Sequence, residues 1–124
     1  MQEVTSHPDW LAACVGAVVA FGAGWLWYSP WVFGGQWAAG LGVSLESKPP
    51  IEPMLAQIAG LTLLSMFIAA AGNAPGLVLI AVAAFLALGY SGDGFAGHPR
   101  RVRLINAGYL LLASLLMLLV QALL

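Results

Sequence analysis

Charge is what this sequence has least of: Asp, Glu, Lys and Arg together supply 7% of its 124 residues. Soluble domains carry roughly a quarter charged residues, so this chain lacks the means to coat itself for water and is expected in a bilayer. Lys and Arg number only four, with a net charge of -1. No basic stripe can hold a phosphate backbone, and nucleic acid is excluded as a partner. The lone cysteine, Cys14, cannot close an internal disulfide, and in its apolar run it reads as a small packing residue.

Histidine is scarcer still, with two residues. His7 precedes the first apolar run and His98 precedes the last. A four-span topology sets them on opposite faces, so they cannot share a metal, and metal or haem sites need convergent ligands. Glu46, Glu52, Asp93 and His98 fall on one side but lack any ligand spacing. No metal or cofactor is predicted; a bound lipid or pigment would leave no motif to read. Ser29, Ser91 and Cys14 have no neighbouring His, no G-x-S-x-G occurs and no glycine-rich loop follows a strand. The chain therefore reads as a non-enzyme. Glu3, His7 and Asp9, with no Lys or Arg, precede the first run, which predicts a retained anchor rather than a cleaved signal.

What the chain does have is apolar length. Four runs, 10–29, 53–71, 76–95 and 102–124, are each near the 20 residues that cross a hydrocarbon core as helix. The fold class is all-α: one polytopic membrane domain over 1–124 with four transmembrane helices. Ser29-Pro30 and Gly34-Gly35, then Asn73-Ala74-Pro75-Gly76, then residues 92–99 break the runs. The second connection is short enough to force an antiparallel hairpin. Lys48 lies in the first connection, and Arg100, Arg101 and Arg103 lie around the third. By the positive-inside rule loops 30–52 and 96–101 are cytoplasmic and both termini outside, the arrangement expected of a bacterial inner-membrane protein.

Between Gly24 and Trp37 the chain reads GWLWYSPWVFGGQW, with four of the five tryptophans. Trp25, Trp27, Trp31 and Trp37 are expected to anchor at the membrane surface. Segment 31–42 is predicted to lie in the interface, Trp37 and Leu41 toward lipid and Gln36 toward water, in preference to a re-entrant path. Ala12, Gly16, Ala20, Gly24 and then Tyr28 form a small-residue stripe for close helix packing, within the subunit first and between subunits second. Asp93 is the one carboxylate in or at the edge of a span. Arg100, Arg101 or Arg103 are its expected partners, with a proton or cation site as the alternative. Gln57, Thr62, Ser65, Asn106, Tyr109, Ser114 and Gln121 are expected to make interhelical hydrogen bonds.

An internal echo runs through the chain. Tyr28-Ser29-Pro30-Trp31-Val32-Phe33-Gly34-Gly35 aligns with Tyr90-Ser91-Gly92-Asp93-Gly94-Phe95-Ala96-Gly97, and Ala59-Gly60 through Leu64 with Ala107-Gly108 through Leu112. Two helical hairpins related by a pseudo-twofold axis along the membrane normal would produce it. In that reading the two aromatic corners are equivalent, and a distinctive site is expected between them, bounded by Tyr28, Trp37, Asp93 and Asn106, with Tyr109 nearby.

Leu26-Trp27-Tyr28-Ser29-Pro30, Phe33-Gly34 and Trp37, followed by Leu104-Ile105-Asn106-Ala107-Gly108-Tyr109, resemble the two signature stretches of the small bacterial membrane proteins grouped as domain of unknown function 1761. The resemblance spans nearly the whole chain. Gly35 stands where that family often has lysine, Leu110 where a polar or aromatic residue is common, and the Gly-rich Asp93 segment is not a family feature. The resemblance implies a compact four-helix membrane domain and brings no activity with it. The functional expectation is assembly, as a homo-oligomer or an accessory subunit of a larger membrane complex in contact with lipid. The alternative is a small transporter or channel subunit with a polar site near Asp93 and Asn106.

Overall fold

A computed structural model describes residues 9–43, 51–71 and 73–124. Over those residues the chain forms five helices: α1 (Trp10–Trp27), α2 (Gly34–Leu41), α3 (Ile51–Ala71), α4 (Pro75–Phe95) and α5 (Arg100–Leu123). All but α2 are long and apolar enough to cross a membrane, and no strand occurs among the described residues. His7, Glu46 and Lys48 lie outside the described residues.

The helix ends follow from local chemistry and move the predicted boundaries slightly. Asp9 caps α1, its Oδ1 accepting from the Ala12 N–H at 3.1 Å. At the other end the Tyr28 N–H turns back to the Gly24 carbonyl and the Ser29 hydroxyl donates to the Leu26 carbonyl at 2.6 Å. With Pro30 next, α1 stops at Trp27 rather than at residue 29. Pro53 was expected to open α3, but a first-turn proline needs no donor, and the helix begins earlier, at Ile51. Pro75 occupies the first position of α4 for the same reason. Arg100 opens α5 directly after Pro99, ahead of the predicted residue 102. The expected interfacial segment holds α2, whose first residue, Gly34, fits only without a side chain: a Cβ there would collide with the Tyr28 and Ser29 carbonyls.

α5 touches every other helix, and α1 is seated along both α3 and α5. Ala12, Gly16, Ala20 and Gly24 are all buried in those seams. A Cβ on Gly16 would lie 2.7 Å from Ser65 Oγ, and one on Gly24 would lie 2.7 Å from the Tyr109 hydroxyl. The small-residue stripe is thus occupied within this chain, where backbone-to-side-chain bonds reinforce it. Ser65 donates to the Ala13 carbonyl at 2.6 Å and Tyr109 to the Ala20 carbonyl at 2.7 Å. Ile68, Ala113 and Met117 complete the core. Cys14 is exposed on the outer side of α1, so it is not the packing residue that its apolar run suggested.

α4 is seated differently. It rests on α5 and has little contact with α3, and only Val78 and Val82 along it are buried. A true twofold exchanging α1 with α4 and α3 with α5 would make the α3–α4 seam as close as the α1–α5 seam, so the pseudo-twofold is broken. The reason is in the side chains. In the register that sets Tyr28 against Tyr90, Gly24, Ala20 and Gly16 correspond to Leu86, Val82 and Val78. The same face turns inward, but it carries branched side chains on α4 where α1 carries the small residues that let α5 close down on it.

The two aromatic corners also differ. α1 ends before its Tyr-Ser pair, whereas α4 runs on through Tyr90 and Ser91 to Phe95, because Gly92 stands where the first corner has Pro30. α4 then stops in a Schellman motif, with Gly97 at φ 83° and the His98 N–H bonded to the Asp93 carbonyl at 3.0 Å. The corners are related in sequence but are not structural equivalents.

Candidate functional site

Where α4 stands away from α1 and α3, a cleft of about 1100 Å³ remains. Its walls are mainly apolar and aromatic: Phe21 and Trp25 of α1, Met54 of α3, and Phe85 and Leu86 of α4, with Trp31 at the corner. Its polar edge is made by the side chains expected to bound a site. Tyr28 donates its hydroxyl to Asn106 Oδ1 at 2.8 Å, and Trp37 Nε1–H donates to the same oxygen at 3.1 Å. Asn106 Nδ2–H donates in turn to Asp93 Oδ2 at 3.0 Å.

Asn106 is the hub of this network. Two donors saturate its carbonyl oxygen, which fixes the amide orientation and aims its N–H₂ at the carboxylate. Asp93 keeps further acceptor capacity, since an ionised carboxylate has about four lone-pair positions. One of them faces His98, whose Nδ1 lies 3.5 Å from Asp93 Oδ1, brought there by the turn at Gly97. The Asp93 side chain is 23% exposed, and Tyr109 is buried beside the cleft. Tyr28 meets Trp37 and Tyr109 edge to face, each at 5.5 Å between centroids, so the hydroxyl bearing on Asn106 is held by aromatic packing on both sides.

Several expectations change here. Asp93 makes no ion pair with Arg100, Arg101 or Arg103. Arg100 and Arg101 are exposed, and the Arg103 guanidinium lies over the Tyr90 ring, 5.0 Å from its centroid. The partners of Asp93 are Asn106 and His98 instead. Glu52 is exposed and does not join them. The tryptophans divide in two. Trp25 and Trp31 are 74% and 86% exposed and stand on the open side of the cleft. Trp27 and Trp37 turn inward: Trp27 Nε1–H donates to the Ile105 carbonyl at 3.0 Å, and Trp37 serves Asn106 rather than lipid. No nearby residue signals that choice, because both partners come from α5, 78 and 69 residues away. Asp93 and His98 were expected on one side without a ligand spacing to join them; the turn at Gly97 is what brings them to 3.5 Å.

The sequence profile of DUF1761, described as a protein of unknown function, matches residues 11–122. This chain belongs to the DUF1761 family. No curated protein and no solved structure matches it. Within this DUF1761 chain the two stretches that carry the resemblance, 26–37 and 104–109, are the ones that meet: Trp27 with Ile105, and Tyr28 and Trp37 with Asn106. Gly108 belongs to the same fit, since a Cβ there would come within 2.9 Å of the Trp27 ring.

Proposed function

We propose that this DUF1761 protein is a non-enzymatic membrane protein that holds a small amphipathic molecule in the cleft beside α4, as a transporter or transport subunit. The observation that carries this reading is the Tyr28–Asn106–Asp93 chain of hydrogen bonds at the edge of a largely apolar cleft. Such a combination is how small-molecule sites are built, with apolar walls for area and a few fixed polar groups for orientation. Polar and ionisable groups in or at the edge of membrane spans are costly, which favours a role beyond packing. By the positive-inside rule, Arg100, Arg101 and Arg103 put this edge on the cytoplasmic side of a bacterial inner membrane.

The test is a thermal-unfolding screen of the purified full chain in lipid nanodiscs with cationic, neutral and anionic amphipathic compounds. At least one class should raise the unfolding midpoint, and Asn106→Leu should abolish the rise. No response to any class would overturn the reading.

Assembly is the second reading. The stripe of Ala12, Gly16, Ala20 and Gly24 no longer supports it, being filled from within, but α4 does: Leu79, Ile80 and Leu88 are each more than half exposed. Its test is mass measurement in mild detergent, where a clean monomer would count against it.

A further inference from the structure

This inference rests on the cleft as a binding site and names what the cleft selects. Asp93 is the only ionisable carboxylate on its lining, and no Lys, Arg or His lines it among the described residues. The Arg103 guanidinium lies over the Tyr90 ring rather than against the carboxylate, and His98 meets the carboxylate at one oxygen only, 3.5 Å away. The other oxygen is steadied by Asn106 at 3.0 Å without being neutralised, since an amide donor carries no charge. Aromatic rings line the same cleft: Tyr28 and Trp37, which share Asn106 with the carboxylate, then Trp25, Trp31 and Phe85, and Tyr90, one face of which Arg103 takes.

Ring faces carry negative quadrupole density and attract cations, most strongly where water is excluded. A single carboxylate in the same cleft, with no Lys or Arg paired to it, adds a preference of the same sign and disfavours an anion. An apolar volume of about 1100 Å³ leaves room for a bulky hydrocarbon frame that an inorganic ion would not fill. We infer that the ligand is a lipophilic monovalent organic cation, its charge delocalised or quaternary, held by Asp93 and by the cleft's aromatic rings. The same ammonium chemistry also occurs on the head group of a choline lipid.

The experiment titrates the full chain in phosphatidylglycerol nanodiscs by tryptophan emission, with empty discs as the blank. Three probes of similar bulk are used: tetraphenylphosphonium, neutral triphenylphosphine oxide and anionic tetraphenylborate. The cation should bind at least about tenfold more tightly than the other two, and Asp93→Asn should remove that advantage. Trp31→Leu provides a second variant whose folding is not at issue, because Trp31 is 86% exposed. It should weaken the cation about fivefold and leave the neutral probe unchanged. Equal binding of all three probes, or an unchanged preference in both variants, overturns the cation assignment while the cleft stands as a site. No saturable binding of any probe overturns both. Repeating the titration in phosphatidylcholine discs identifies the source: weaker probe binding means that the lipid ammonium competes for the cleft, and unchanged binding means a soluble cation, either of which upholds the cation chemistry.

Discussion

α1 and α4 lead into echoing Tyr-Ser corners and take different roles. Both turn one face inward, and both reach a Tyr-Ser pair at the same end of the bundle. On α1 that face is Gly16, Ala20 and Gly24, and α5 closes on it until the Tyr109 ring touches the Gly24 backbone. On α4 the matching face is Val78, Val82 and Leu86, and the neighbouring α3 stays away. The two seams differ in the side chains they carry: small on α1, branched on α4. One seam is sealed by small residues; in the other, Leu86 stands on the wall of the cleft that stays open beside Asp93.

The comparison can be broken most severely by giving α1 the side chain of α4. Gly24→Leu would thrust into the Tyr109 ring and should cost about 3 kcal/mol, read as a lowered unfolding midpoint in detergent. Next comes the hub that ties the two corners together. Asn106→Leu strands the Tyr28 hydroxyl, the Trp37 indole N–H and the Asp93 carboxylate at once, and should cost about 2 kcal/mol in the same assay. The smallest effects separate the inward tryptophans from the outward ones. Trp27→Phe loses its bond to the Ile105 carbonyl and should cost about 1 kcal/mol, whereas Trp31→Phe, which faces outward, should stay within about 0.5 kcal/mol. Equal losses for that last pair would show that the tryptophans do not divide as described.

Much of this architecture was legible in the sequence because it rests on local chemistry. Four apolar runs of sufficient length, a Pro-Gly turn between the second and third, and the Ser-Pro break after the first are read from composition and backbone rules alone. The candidate site was half legible. Asp93 announces itself as a carboxylate in an apolar chain, and the echo of Tyr28 in Tyr90 draws attention to both corners. The direction of Trp27 and Trp37 was not legible, since an amphipathic ring suits a membrane surface and an interior acceptor equally well. Only the fold brings Ile105 and Asn106 within reach. The expected Arg partners of Asp93 failed for a related reason. They are close in sequence, but the turn at Gly97 brings His98 back to the carboxylate and the Tyr90 ring takes Arg103.

The open seam beside α4 is the central claim, and thiol accessibility tests it most directly. Gly89 lines the cleft with open space where a Cβ would go, and Leu88, its neighbour at the same depth, lies outside the lining and is 70% exposed. In a Cys14→Ala background, Gly89→Cys should react rapidly with a charged methanethiosulfonate reagent and Leu88→Cys slowly. Equally slow reaction of both cysteines would mean that α4 closes onto α3 as α1 closes onto α5, and that the cleft does not exist in the membrane.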